Sequence, residues 1–102
     1  MSLLGTEFKL NIHLEPIDGL SMRNYDFVAY VYALSYRKVM IPKSRMRMVD
    51  KDNYIVKIES SDALTIGVGR IMVDIEAYIP DGDFSDGLRT ERVTLCTDIV
   101  IR

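Results

Sequence analysis

The sequence is poor in the residues that build disulfide-linked or metal-dependent folds, with one cysteine and one histidine in 102 residues. It also has no tryptophan. A single cysteine, Cys96, cannot form a disulfide within the chain, which excludes the small secreted scaffolds that depend on disulfides. A single histidine, His13, leaves a zinc site short of ligands. No run of about 18 apolar residues occurs, so no membrane-spanning helix is predicted. Packing of a core must supply the stability.

The composition is that of an ordinary globular domain, with 48% hydrophobic and 27% charged residues. A net charge of −2 is too small to predict nucleic acid or membrane partners. The length suits one domain, which we place at residues 6–102, with residues 1–5 as a tail or cloning remnant. The N-terminus lacks the charged segment and long apolar core of a signal peptide.

Alternating apolar and polar residues predict strands at 8–14 and 69–80. In the second of these, one set of side chains is predicted to face the core: Ile71, Val73, Ile75 and Ala77. The other set is predicted to face outward: Met72, Asp74, Glu76 and Tyr78. The segment 25–36 has apolar residues at both odd and even positions and is rich in β-favouring residues. This pattern indicates a central strand that is covered on both sides.

The remaining segments predict further short strands separated by turns. Residues 38–49 form one or two strands broken at Pro42, because proline cannot donate to a strand ladder. A turn at 50–53 precedes a strand at 54–58, and 59–67 is a crossover with one helical turn, capped by Ser60 or Ser61. Residues 88–96 and 99–101 form two final strands. The pattern predicts an all-β, immunoglobulin-like antiparallel β-sandwich of about seven strands.

The stretch PDGDFSDGLR at 80–89 concentrates aspartates and glycines. An EF-hand beginning at Asp81 would need glycine where Asp86 stands and glutamate where Arg92 stands. We therefore predict a connecting loop, in which Gly82 and Gly87 take positive φ and Phe84 is a buried anchor. A looser calcium site, bridging the three carboxylates, is the alternative.

Candidate catalytic residues are scarce. His13 falls on the outward parity of its strand, and Cys96 is predicted to be a small buried hydrophobic residue in a terminal strand. The glycines of TIGVGR lack the third glycine and the following helix of a phosphate-binding loop. The sequence thus predicts no enzyme, no cofactor and no metal.

The most unusual feature is a basic stretch from Arg37 to Arg47, with no acidic residue between Asp26 and Asp50. One reading is an edge strand protected from aggregation by its charges and Pro42. The other is a docking surface for an acidic partner or for the 74–86 side of another copy of the chain, with Met40, Met46 and Met48 as adaptable apolar contacts. Aromatic residues that would stack on nucleic acid bases are missing from the stretch. The candidate partner-binding residues are Arg37, Lys38, Lys43, Arg45, Arg47, Met46 and Met48.

Three segments, taken in this order, have a recognisable pattern: YDFVAYVY, DNYIVKIESSDAL and the strand that ends in Ile79, Pro80 and Asp81, followed by Asp83, Phe84, Asp86, Gly87 and Arg89. They resemble the small β-sandwich domains of tailed-phage and prophage baseplate or tail-fibre proteins, including the N-terminal domains of upper baseplate proteins. The resemblance covers residues 6–102. It implies a noncatalytic structural module that assembles with other structural proteins or copies of itself, in a virion or in the bacterial cytoplasm before assembly.

The alternative is an immunoglobulin-like binding or adhesion module of a bacterial protein, recognising a protein or a sugar. Its location would be extracellular if a signal peptide had been removed.

Overall fold

The computed structural model describes residues 4–102 and shows two antiparallel sheets packed face to face. These residues form seven strands, one α-helix and two short 3-10 helices. The strands are β1 (Phe8–His13), β2 (Asp26–Tyr32), β3 (Val39–Pro42), β4 (Arg47–Asp50), β5 (Asn53–Ile58), β6 (Gly69–Pro80) and β7 (Leu88–Ile101). The helix α1 covers Ser60–Ile66, and the 3-10 helices cover Met22–Asn24 and Lys43–Arg45.

The strands pair in an immunoglobulin-like order. One sheet has the order β1-β5-β4 and the other the order β3-β2-β6-β7. In immunoglobulin terms these sheets are B-E-D and C′-C-F-G, so residues 4–102 include strand C′ but no strand A. The predicted fold class, an all-β immunoglobulin-like sandwich of about seven strands, is confirmed.

The core lies between the two sheets and follows the predicted alternation. The four residues of β6 that were predicted to face inward are all buried, namely Ile71, Val73, Ile75 and Ala77. Phe27 on β2 is fully buried, and its ring meets Tyr54 of the opposite sheet edge-on, with 5.3 Å between ring centroids. Tyr25 packs against the same ring at 6.0 Å. Edge-to-face contacts of this kind stabilise aromatic pairs beyond their burial alone.

The strand predicted at 25–36 is shorter than expected. It ends at Tyr32, because the chain then turns: the Tyr36 amide donates to the Ala33 carbonyl over 3.1 Å, and Tyr36 has φ of 58°. The strand is central within its sheet, as predicted. The second sheet covers only one of its sides, however, and Val28 and Tyr30 on the other side are only partly buried.

The two strands predicted at 88–96 and 99–101 are one 14-residue strand, β7, with a bulge. Its pairing with β6 shifts between Arg70 and Met72. At this point the Thr97 hydroxyl donates to the Ile71 carbonyl over 2.8 Å and accepts from the Ile99 amide over 3.2 Å. A bulge lets a strand absorb extra residues without ending, so β7 continues past it.

The predicted crossover contains two helical turns rather than one. Glu59, not Ser60 or Ser61, occupies the N-cap position of α1, and its side chain makes no capping hydrogen bond, so the predicted serine cap is wrong. The helix ends where Gly67 takes φ of 81° and donates its amide to the Ala63 carbonyl over 3.1 Å. No helix among the described residues combines the length and the apolar character that a membrane span requires.

Candidate interaction surface

The side of the four-stranded sheet that faces away from the core, here called the outer face, brings together side chains from all four strands. Its central row joins Met40 on β3, Tyr30 on β2, Asp74 on β6 and Thr94 on β7, each opposite the next. Met40 is 55% exposed. The outer face comprises Lys38, Met40, Val28, Tyr30, Tyr32, Met72, Asp74, Glu76, Tyr78, Arg92, Thr94 and Cys96.

Asp74 is held at the centre of the outer face by three donors. Lys38 Nζ lies 3.0 Å from Oδ2, while the Tyr32 hydroxyl and Thr94 Oγ1 lie 3.1 and 2.9 Å from Oδ1. Burial favours a higher pKa for this carboxyl, but the three hydrogen bonds outweigh it, and the pKa of Asp74 is lowered. The same contact raises the pKa of Lys38, because the carboxylate favours the charged ammonium. Both groups are therefore ionised and fixed in position at neutral pH.

Glu76 forms a second fixed pair one step along the sheet. Arg92 Nε lies 3.1 Å from its Oε2, and the Tyr78 hydroxyl donates to its Oε1 over 3.1 Å. Burial, followed by this hydrogen bond, raises the pKa of Tyr78. A groove of about 250 Å³ lies among the two pairs, Thr94 and Tyr30. No hydrogen bond within the described residues occupies the Tyr30 hydroxyl, so it can bind a partner.

The predicted basic stretch does not form one surface. Lys38 belongs to the outer face, as described above. Lys43 turns inward: its Nζ donates to the carbonyls of Met22, Arg23 and Tyr25 over 3.0, 3.3 and 2.7 Å. The same ammonium lies over the Phe27 ring, 5.3 Å from its centroid. Burial lowers the pKa of Lys43.

The other members of the stretch lie around the β3–β4 side of the sandwich. Arg45 binds Asp62 of α1 over 3.1 Å, and Met46 packs against the core. Arg47 and Met48 are exposed on β4, at the edge of the three-stranded sheet, and Arg37 is exposed before β3. Three of the five cations, namely Lys38, Lys43 and Arg45, are thus bound within the chain.

The aspartate-rich loop at 81–87 is closed by its own backbone. The Asp81 amide donates to the Gly87 carbonyl over 2.8 Å, and Asp81 Oδ1 accepts from the Asp83 amide over 3.0 Å. Gly87 has positive φ as predicted, but Gly82 does not. Phe84 is 48% exposed, so its predicted role as a buried anchor is wrong. The loop needs no buried ring to close it, because its own backbone hydrogen bonds do so.

Arg89 ties that loop to the loop between β1 and β2. Its guanidinium contacts Asp18, Asp81 and Glu91 at 2.6, 2.8 and 2.9 Å. Hydrogen bonds from Asp18 first and then Asp81 raise the pKa of Arg89. Since Asp81 is neutralised within the chain, as are Asp74 and Glu76, the 74–86 side offers fewer free carboxylates to a basic partner than the sequence suggested.

The two candidate nucleophilic or metal-binding side chains are both exposed. His13 contacts the Asp52 carbonyl at 3.1 Å and Glu15 at 3.3 Å, and the hydrogen bond with Glu15 raises its pKa. Cys96 is exposed at the edge of the outer face, so its predicted burial is wrong: its parity on β7 is that of the solvent side. Within residues 4–102, no cluster of three acidic, histidine or cysteine side chains is placed to hold a metal ion.

Sequence reasoning found part of the outer face. The outward parity of Asp74, Glu76 and Tyr78 was readable from the alternation of β6. Tyr30 and Arg92 were missed, because their placement depends on which strands pair and in which register. Side chains alternate between the two faces of a strand, so residues 28, 30 and 32 of YDFVAYVY lie on one face. That shared face was the signal that could have identified Tyr30.

Fold and surface together define an immunoglobulin-like sandwich with an uncovered, mixed aromatic and charged sheet face. Comparison of the chain with family models, curated proteins and solved structures finds no match.

Proposed function

We propose that this chain is a noncatalytic interaction module that binds another protein through its outer face. The observation that carries the proposal is the composition of that face: tyrosines and methionines surround two charge pairs. Tyrosine, methionine and arginine are enriched at protein interfaces relative to the rest of the surface. Met40, at 55% exposed, and Tyr30, which is partly buried, supply the apolar contacts.

The fixed charges suit a protein partner better than a free ion. Lys38 and Asp74 neutralise each other, as do Arg92 and Glu76, so the face carries no strong net field. Paired charges that are already oriented cost little further ordering when a partner binds, and they favour one orientation of that partner over others. The surface is therefore suited to specific docking rather than to electrostatic capture.

The resemblance to baseplate and tail-fibre domains gives the proposal its particular form. In that form the module contributes to a phage- or prophage-type tail assembly, and its partners are structural proteins of the same particle. The alternative, an adhesion module of a bacterial protein, would use the same face for a host protein or a sugar. The groove of about 250 Å³ beside Tyr30 is the feature that favours this alternative.

Calorimetric titration against the purified tail proteins encoded by neighbouring genes tests the proposal. We expect wild-type binding at micromolar or lower Kd and binding weakened about tenfold or more by Met40→Ser, as expected when an apolar interface anchor is removed. Leu64→Ser is the matched control, because Leu64 is 58% exposed but lies on α1, away from the outer face. Equal losses in the two variants, or binding to none of these proteins but to a glycan, would overturn the tail-assembly form.

A further inference from the structure

The four edge strands of the sandwich are not equally protected from pairing with other strands. The edges β3 and β4 have only four residues each; β3 ends in Pro42 and β4 contains a register irregularity. The edge β1 has six residues and includes the exposed Lys9. Short length, proline, lysine and bulges are the devices by which proteins blunt sheet edges. β7, at 14 residues, is the longest edge.

Part of β7 has none of these devices. Between Arg92 and the bulge at Thr97, the residues 93–96 carry no charge, proline or glycine. Within residues 4–102, no strand pairs with the side of β7 that faces away from β6. The backbone donors and acceptors on that side are therefore available for a further strand.

An apolar cleft accompanies this free edge. Val93 and Leu95 point inward from β7 but are only partly buried. Across from them lie Leu14 and Ile17 from the chain that follows β1, and the cleft between them measures about 370 Å³. A strand added beside β7 would place its own inward side chains over this cleft and remove apolar surface from water.

We propose that the occupant of this edge is β7 of a second copy, paired antiparallel about a two-fold axis at Thr94. In this register Val93 of each copy lies opposite Leu95 of the other, on the side of the cleft, and Thr94 lies opposite itself. Arg92 lies opposite Cys96 of the second copy. No like charges face each other in these central pairs, and the two four-stranded sheets become one.

Charge complementarity supports the same register. Arg92 and Asp98 both have exposed side chains (73% and 111% of the reference area), and the Asp98 carboxylate lies 3.9 Å from Arg70 of its own copy. The pairing puts Arg92 near the bulge that holds Asp98 of the second copy, within reach of a long side chain. Arg92 uses Nε for Glu76, which leaves its terminal nitrogens free for this second carboxylate. Two such contacts form by symmetry.

This inference goes beyond the proposed function, because self-pairing at β7 requires no partner protein. Sedimentation equilibrium of the pure chain therefore tests it separately from the titration of tail proteins. We expect a monomer–dimer equilibrium with Kd below about 1 mM, and a Kd raised about tenfold or more by Thr94→Lys, which sets two lysines opposite each other. Thr65→Lys is the matched control, because it adds the same charge at an exposed threonine of α1, outside the paired strands, and it should leave the Kd within about twofold.

Disulfide trapping tests the register itself. In Thr94→Cys/Cys96→Ser, the new thiols meet across the two-fold axis, so mild oxidation should give a covalent dimer. Thr90→Cys/Cys96→Ser should stay monomeric under the same oxidation. A wild type that sediments as a monomer at the highest concentration, a dimer insensitive to Thr94→Lys, or equal trapping of both cysteine variants would overturn the proposal. If the chain stays a monomer but binds a synthetic peptide of alternating apolar and polar residues, the edge pairs with a strand from another protein. That result would also overturn the proposal of self-pairing.

Discussion

Replacing Lys43 by methionine removes a charge that the sequence places on the surface and the structure places within the fold. The ammonium joins the 3-10 helix after β3 to the 3-10 helix Met22–Asn24 and to Tyr25, just before β2, through hydrogen bonds to three backbone carbonyls. Methionine keeps the length and apolar stem of the side chain but donates no hydrogen bond. The carbonyl of the fully buried Met22 is then left without this donor.

The size of the effect follows from these contacts. A hydrogen bond from a charged donor contributes about 1.5–3 kcal/mol, and the contact with the Phe27 ring adds about 0.5–1 kcal/mol. Burial of the charge, which also lowers the pKa of Lys43, offsets part of this sum. We expect Lys43→Met to lower the free energy of unfolding by about 2–3 kcal/mol and the Tm by roughly 10–20 °C.

Urea unfolding followed by circular dichroism measures this difference, with Lys38→Met as the control. Lys38 makes a partly exposed ion pair with Asp74 and lies 5.0 Å from the centroid of the Tyr32 ring; because both contacts are partly exposed, its loss should cost about 1 kcal/mol. If the two variants lose equal stability, or if Lys43→Met loses less than about 0.5 kcal/mol, then Lys43 is a surface residue, and the assignment of a structural role to it is wrong.

Three further predictions concern single side chains. The buried Tyr25 hydroxyl has no hydrogen-bond partner within residues 4–102, so Tyr25→Phe should leave stability unchanged or raise it by up to about 1 kcal/mol; a loss above 1 kcal/mol in urea unfolding would reveal a partner. Phe84→Ala should cost less than about 0.5 kcal/mol, since the ring is half exposed, whereas a cost near 3 kcal/mol in the same assay would restore the buried anchor. Folding lowers the pKa of Asp74, so its contribution is present above the unfolded value near 3.9 and is lost as pH falls through the lower folded value. As the pH is lowered into the acid range, the free energy of unfolding should therefore fall less steeply for Asp74→Asn than for the wild type. Identical slopes in the two proteins would contradict the hydrogen bonds assigned to the Asp74 carboxylate.

The fold was predictable because the strands of this chain alternate clearly. Ile71, Val73, Ile75 and Ala77 are buried as their period of two requires. Strand ends were harder to predict, since they depend on local hydrogen bonds. The Thr97 hydroxyl binds the Ile71 carbonyl at the bulge, so β7 continues where the sequence predicted a break. The turn at Tyr36 ends β2 within a run of β-favouring residues.

The outer face was less predictable, because charge counts along a sequence do not show which groups pair. Lys38 finds Asp74 36 residues away, across two strand pairings. Lys43 binds backbone carbonyls. Every residue has a backbone carbonyl, so the amino-acid composition cannot show which of them a lysine will bind. Phe84 lies in a loop that its own backbone closes, so the usual inference that an aromatic residue anchors a loop fails there.

Mapping a bound partner onto the domain by NMR tests the central claim, that the outer face is where this module binds. The isotopically labelled chain would be titrated with the tail protein that binds it in calorimetry. We expect perturbed amides to concentrate on β2, β3 and β6, around Tyr30, Met40 and Asp74. Perturbations confined to α1, or to the loops joined by Arg89, would contradict it, because those surfaces lie at the ends of the sandwich and away from the outer face.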